Sequence, residues 1–543
     1  MIAALTLMLA APLMGAGPEA VDQIFSRYKQ AGSPGCAVTV VKDGKQVHQG
    51  LYGMANLEWD VPITAQTAFY LGSTSKQFTA MTVMLLVEMG RMKLDDPIQK
   101  YLPQLPAYTK PITIRHLLEH TSGIRDYIAL WTLSGPANDA PLTDTKVLEL
   151  IARQKELNFT PGSEFLYSNS GYFLLGMAIR PAAMSHLGQL VHRLVFQPLG
   201  MERTLYYTDR FTLLPKRATG YTPSGAVTGG YTINSGTLDV AGDGGVFTTI
   251  EDMTRWLQFF DSPKDPQAKA LTAMQARAQL ASGDLAEYGR GLMLKKYRGL
   301  DVLSHVGGLR GYRSEILWIP SERLGTAVLC NRSDAQAGPL ARMVADAYLP
   351  ARKPLEPVKL SNEQLARKAG TFRDRDTGDL LVLQPAPPGL QASYQSFQML
   401  LLPSAPMRFR SVNSPLDFEV EFREAGAKDE PRFVRIEAES HKPAVYERIE
   451  WRPGPIEDPA QYVGNYHSSE AQADMAVRYF DSRLTLEQGG QSIGELAPTG
   501  PDRFQAGAIN LFFERDANRK IKGLRITTGR VRNLPFVRVS DGS

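Results

Sequence analysis

The stretch "FYLGSTSKQFTAMTVMLLVEMG" (residues 69–90) sets a serine and a lysine one helical turn apart, Ser73 and Lys76, at the head of a long apolar run. Residues three apart on a helix share a face, so the Lys76 amine can reach the Ser73 hydroxyl. Gly72 lets the chain turn tightly into the helix. Ser73 then sits at an N-terminus, where free backbone N–H groups favour developing negative charge. A lysine in an apolar pocket loses basicity and can accept the serine's proton. The spacing alone decides nothing, because Ser26 and Lys29 repeat it in an amphipathic helix near the N-terminus. What separates Ser73 is its setting, with strand-like "AFYLG" before it and a long apolar helix after it.

Outward from this stretch, helix and strand patterns alternate from about residue 20 to 350. "PEAVDQIFSRYKQAG" is an amphipathic helix closed by glycine. "GCAVTVVKDGKQVHQGLYGMAN" reads as two strands around an Asp43-Gly44 turn. "GLDVLSHVGG", "YRSEILWIP" and "LGTAVLCNRS" read as three further strands, and "AGPLARMVADAYLP" as a closing helix. Strands at both ends around a helix-rich middle predict an α+β fold: one antiparallel sheet flanked by helices, its first and last segments neighbours.

The composition changes at "PARKPLEPVKL" (350–360), a Pro-punctuated linker. Short alternating strands follow, and they align with themselves at a spacing of roughly ninety residues. Gly370-Thr371-Phe372 matches Gly464-Asn465-Tyr466. Leu402-Pro403 with Arg408-Phe409 matches Ala497-Pro498 with Arg503-Phe504, and Arg435-Ile436 matches Arg525-Ile526. Each copy has enough strands for a small barrel. The expected organisation is therefore a leader (1–18), a helix-flanked domain (19–352), a linker (353–360) and two β-barrel-like modules (361–452 and 453–543).

At 543 residues with a net charge of +4, the chain shows no dense Lys/Arg block, and nucleic acid is not an expected partner. The apolar N-terminus, "MIAALTLMLAAPLMGAGPEA", resembles the core of a secretory signal, although no Lys or Arg precedes it. Export to the periplasm or medium is the expectation, without stable membrane insertion. Cys36 and Cys330 both lie in strand-like runs and are expected as buried structural thiols rather than a disulfide.

Two more motifs give Ser73 a context. Tyr167-Ser168-Asn169, in "PGSEFLYSNSGYFLLG", enters a new apolar helix, and it is the only Y-x-N among 21 tyrosines. A phenol beside an ammonium group can move protons, and a carboxamide can hold a substrate amide. His305-Val306-Gly307, in "LSHVGGLRGYRSEILWIP", has glycines that let a substrate lie along a strand edge. In this order and spacing, Ser73/Lys76, Tyr167/Asn169 and His305/Gly307 resemble the serine β-lactamase/penicillin-binding superfamily. The likeness is to its class C-like branch of D-aminopeptidases, DD-peptidases, esterases and lactamases. "IRHLLEHTSGI" (114–124), "QPLGMERT" (197–204) and "AGDGGVFTTIEDMTRW" (241–256) extend it over residues 20–350.

The resemblance implies a serine hydrolase that forms an acyl-enzyme on Ser73 and needs no cofactor. Lys76 and Tyr167 would share the proton traffic, with His305 beside them. Asn169 and Gly307 would line the substrate cleft, and the N–H groups of Ser73 and Gly308 would form the oxyanion hole. Small amides or esters are the implied substrates, D-residue peptides first. A short-chain carboxylesterase and a weakly turning-over lactamase or penicillin-binding sensor are the alternatives. His305-Val306-Gly307 stands where many lactamases carry Lys-Thr/Ser-Gly, which removes a cation and a hydroxyl and points away from efficient lactam hydrolysis. The paired β modules resemble the lipocalin-like barrels of D-aminopeptidase-type enzymes, in which a tail loop approaches the active site. Arg310 is a candidate receiver for a substrate carboxylate. "HLLEH" (116–120) also fits an inverted zinc-protease pattern, but the other histidines show no ligand-like grouping, so no metal is expected. Oligomeric state is open.

Overall fold

The computed structural model describes residues 17–539 apart from 31, 136–141, 210, 226–229, 237–238, 351–357, 375–376, 395–396, 413–417, 426–430, 439–443 and 451–455. Nearly all of the expected leader and most of the expected linker lie outside the described residues. Six strands form the central sheet: β1 (Cys36–Lys42), β2 (Lys45–Tyr52), β3 (Met293–Tyr297), β4 (Leu300–Leu309), β5 (Tyr312–Ile319) and β6 (Leu324–Cys330). Their order is β3-β4-β5-β6-β1-β2, antiparallel throughout. The first and last segments do pair. Asp43 and Gly44 take positive φ values of 50° and 73°, as a tight hairpin turn requires.

Alternation along the strands serves two cores. Ala37, Val41, Ala327 and Leu329 pack with α1 (Lys76–Glu88), α2 (Asn169–Ala183) and α3 (Ile250–Asp261). Val38, Val40 and Val328 face the other way, against α4 (Ala337–Asp346). Because the sheet is covered on both faces, β1 and β6 read as continuous apolar runs. Helix α1 is enclosed on nearly every side from Lys76 to Leu86, which explains an apolar run with little amphipathic pattern.

Cys36 and Cys330 are joined in a disulfide, which corrects the expectation of free thiols. The β1–β6 register sets them opposite each other with Cα atoms 4.1 Å apart. Each strand shows a buried cysteine in sequence, but only the pairing shows that the two meet.

In the tail, eight strands from Gly370–Asp374 to Ala444–Ile449 close into a barrel. The following nine, from Gly464–Ser468 to Val531–Val539, form a curled sheet whose end strands, Gln491–Glu495 and Ala497–Gly500, do not pair with each other. The repeat seen in the sequence has a structural counterpart. Pro403 lies opposite Phe409 in the first module, and Pro498 lies opposite Phe504 in the second. Arg448 and Arg538 each lie against the glycine that opens their module, Gly370 and Gly464.

Candidate active site

Ser73 lies in a 3₁₀ turn, Gly72–Ser75, that feeds directly into α1, and Lys76 is the first residue of the helix proper. Gly72 turns the chain with φ 55°. Ser73 keeps partial access to solvent while Lys76 is fully buried. The Lys76 Nζ lies 3.0 Å from Ser73 Oγ, 2.8 Å from Asn169 Oδ1 and 2.6 Å from the Asp243 carbonyl oxygen. Asn169 Oδ1 and the Asp243 carbonyl can only accept hydrogen bonds. A neutral amine that donates to both must turn its lone pair toward Ser73. Burial lowers the Lys76 pKa to about 7, a fall that the Asp243 carboxylate opposes and Arg530 reinforces. The Asp243 carboxyl is itself pushed up by burial and drawn back by Lys76.

Asn169 opens α2, and its carboxamide is committed at both ends. Its Nδ2 donates to Asp126 Oδ2 at 2.8 Å and its backbone N–H to the same oxygen at 2.7 Å. The expected substrate-binding role thus falls to a side chain already occupied in positioning Lys76. Tyr167 packs under Lys76, whose Nζ stands 5.0 Å from the ring centroid. The Tyr167 hydroxyl is buried without a hydrogen-bond partner among the described residues. Burial raises its pKa, and the nearby Arg530 charge draws it part of the way back.

His305, on β4, is fully buried, with its ring centroid 6.2 Å from that of Tyr167. Its Nδ1 lies 2.8 Å from the Val306 carbonyl, to which it can only donate, so Nε2 accepts from the Tyr288 hydroxyl at 3.1 Å. Burial, reinforced by Lys76, lowers its pKa to about 3, so this imidazole is neutral at ordinary pH. Gly307 faces inward: a Cβ there would stand 1.9 Å from the Leu71 carbonyl oxygen and 2.8 Å from Thr74 Oγ1. It therefore seats β4 against the Ser73 turn rather than lining the cleft. The next amide is set beside that turn, with Gly308 N 2.6 Å from where a Gly72 Cβ would be. Arg310 occupies the β4–β5 turn with φ 53°, its guanidinium against Gly236.

Several groups at the site were not singled out from the sequence. Asp126 and Tyr288 carry no local signal, and Asp243 lies inside "AGDGG", a stretch that extends the family likeness without marking a reactive group. His120 is enclosed by Tyr167, Tyr172 and Tyr288, and its Nδ1 accepts from the Ser168 N–H at 3.2 Å. The "HLLEH" residues serve the scaffold: His116 Nδ1 caps its helix by accepting from Thr113 N–H, and Glu119 pairs with Arg290 at 2.8 Å. Among the described residues no cluster of His, Cys, Asp and Glu is arranged to hold a metal ion. Arg530 comes from the second β module, and its guanidinium carbon stands 4.6 Å from the Tyr167 ring centroid.

The chain is similar to known proteins in sequence and in fold. The sequence profile described as Beta-lactamase matches residues 21–349. The chain is 31% identical over 382 residues to a D-aminopeptidase of Gluconobacter oxydans, 70% of each chain being covered. It is 26% identical over 547 residues to a D-aminopeptidase of Brucella anthropi, covering 96% of this chain and 98% of that one. The fold resembles that of the octameric penicillin-binding protein homologue from Pyrococcus abyssi, with a TM-score of 0.56 and 23% identity over 79% of this chain and 98% of the other.

Proposed function

The chain belongs to the β-lactamase family and is a serine hydrolase of it, and we propose that it cleaves small amides of D-residues, short peptides above all, through an acyl-enzyme on Ser73. In this reading Ser73 Oγ attacks the substrate carbonyl carbon as its proton passes to the neutral Lys76 amine. The oxyanion collects at the Ser73 and Gly308 N–H groups. Collapse of this intermediate breaks the C–N bond, and the proton reaches the leaving nitrogen by way of the Tyr167 hydroxyl. Water, deprotonated through the same groups, then attacks the ester carbonyl and releases the acid from Ser73. His305 stays neutral throughout and shapes the wall behind Tyr167.

The observation that carries this reading is the aim of Lys76 Nζ, held by two pure acceptors with its third direction on Ser73 Oγ. The preference for D-residues is supported by the two D-aminopeptidase relatives. A panel of D-alanyl and L-alanyl p-nitroanilides, p-nitrophenyl esters and nitrocefin, run on wild type and Ser73→Ala, tests it. The D-anilide should lead, and the variant should lose both turnover and fluorophosphonate labelling. Turnover surviving in Ser73→Ala would remove the assignment, and ester-only activity would favour a carboxylesterase.

Export is part of the same proposal. The buried disulfide supports it, since such bonds persist in oxidising compartments. Cell fractionation should find the activity outside the cytoplasm with both cysteines blocked to alkylation. Cytoplasmic protein with two free thiols would overturn this part.

A further inference from the structure

The Tyr167 hydroxyl, which passes a proton to the leaving nitrogen in the reading above, has no hydrogen-bond partner among the described residues. Its place is therefore set by whatever holds its ring and its backbone. Asn169, two residues on, is tied to Asp126 through its backbone N–H and its carboxamide. Those bonds serve Lys76 and leave Tyr167 to be held from elsewhere.

One residue outside the reacting set does this. The His120 carbonyl accepts the Leu166 N–H at 2.9 Å, and His120 Nδ1 accepts the Ser168 N–H at 3.2 Å. The two bonds bracket Tyr167 along the chain. The His120 ring also lies against the phenol, with centroids 4.2 Å apart and planes inclined by 34°. His120 has φ 54°, a left-handed conformation that few residues with a side chain adopt, histidine and asparagine being among those that do.

The imidazole is an expensive way to fill this space. Because Nδ1 accepts, the ring proton sits on Nε2, which is buried without a partner among the described residues. A hydrocarbon ring would fill the same volume and bury no unpaired N–H. What imidazole adds is the single acceptor for Ser168. Burial first, and then the charge on Lys76, hold the His120 pKa well below 6.5, so Nδ1 keeps its lone pair at ordinary pH.

We propose that His120 is a positioning residue for proton delivery: it clamps Leu166 and Ser168 and so keeps the Tyr167 hydroxyl in place for the leaving nitrogen. The proposal rests on the hydrolase reading above and gives the last histidine of "HLLEH" a part in the reaction without contact with substrate.

The test sets His120→Asn against His120→Gln. Asparagine tolerates the left-handed backbone and carries its oxygen as many bonds from the chain as Nδ1, whereas glutamine carries it one bond farther. Glutamine is nearer to histidine in volume, so lost packing alone would harm His120→Asn more. On D-alanyl p-nitroanilide, His120→Gln should lower kcat/KM about tenfold to a hundredfold, mostly through kcat, the scale of a misplaced catalytic group. His120→Asn should keep most of the activity. On p-nitrophenyl acetate, whose phenoxide leaves without a proton, both variants should stay near wild type in kcat/KM. Equal losses on anilide and ester in His120→Gln, a larger loss in His120→Asn than in His120→Gln, or full anilide activity in His120→Gln each overturn the proposal. Should His120→Gln not fold, His120→Gly replaces it, because glycine takes this φ without strain and supplies no acceptor.

Hydrogen exchange reads the clamp without turnover. The Ser168 amide should exchange slowly in wild type and His120→Asn, and about tenfold faster or more in His120→Gln. An unchanged rate in His120→Gln would end the clamp. If wild type cleaves no anilide while the exchange difference holds, the amide-hydrolase reading falls and the clamp on Tyr167 stands.

Discussion

The Ser73–Lys76 pair shows how one residue's surroundings set its chemistry. Free lysine is a cation at neutral pH and no base, but burial brings Lys76 to about 7. Protonated Lys76 cannot accept the serine's proton, so kcat/KM should fall about tenfold per pH unit below that value. A pH–rate profile on a neutral substrate checks this, and an acid limb near 4 would give the base role to a carboxylate. The linkage sign is equally definite. The folded pKa lies below the ordinary 10.5, so burial of Lys76 destabilises the fold below about 7, and this penalty disappears as pH rises through 10.5. Tyr288→Phe probes the neighbouring imidazole. It removes the donor to His305 Nε2 and leaves a buried acceptor unpaired, a loss of about 1–3 kcal/mol that denaturant unfolding would detect. S-x-x-K, Y-x-N and H-x-G were legible because each is a local string. Tyr288 and Asp126 were not, because long-range folding alone brings them to His305 and Asn169.

Strand β4 and the Ser73 turn work as one unit, fixed by the absence of a side chain. A methyl at Gly307 would stand 1.9 Å from the Leu71 carbonyl oxygen, a backbone atom that cannot swing away. Gly307→Ala should push β4 off the turn, lower the melting temperature by several degrees and reduce kcat more than KM, because Gly308 N moves with it. An unchanged kcat would separate β4 from the oxyanion hole. In the sequence, Gly307 reads as a cleft residue through the family resemblance and the open strand edge that glycines leave, and strand alternation does not say which face of β4 meets the helix. The cysteines follow the same logic: each strand was recognised, but their pairing depends on register across 294 residues.

Across the whole molecule, the second β module reaches the reaction centre through buried charge. Glu470 pairs with Arg125 at 2.8 Å, with side-chain exposures of 5% and 1%, and also accepts the Lys155 N–H. Arg125 precedes Asp126, which holds Asn169, which in turn holds Lys76. Glu470→Gln leaves the Arg125 cation buried without its partner, at about 3–5 kcal/mol. The variant should unfold at lower denaturant, and kcat/KM should drop roughly ten- to hundredfold as Asp126 shifts. Loss of stability with full activity would show that the module is only a support.

By itself the sequence determined the elements and their kind. These are the two-faced apolar strands, the enclosed helix behind Ser73, the Asp43-Gly44 turn, the repeated β tail and the three strings that carry the reactive groups. Each is written in neighbouring residues, through periodicity or turn chemistry, and so survives without coordinates. Tertiary structure alone decided that Cys36 meets Cys330, that Asn169 faces Lys76, and that Arg530 stands over Tyr167 from more than 350 residues away. Distances of that kind follow from register and domain docking, which depend on the packing of many distant side chains and leave no local pattern to read.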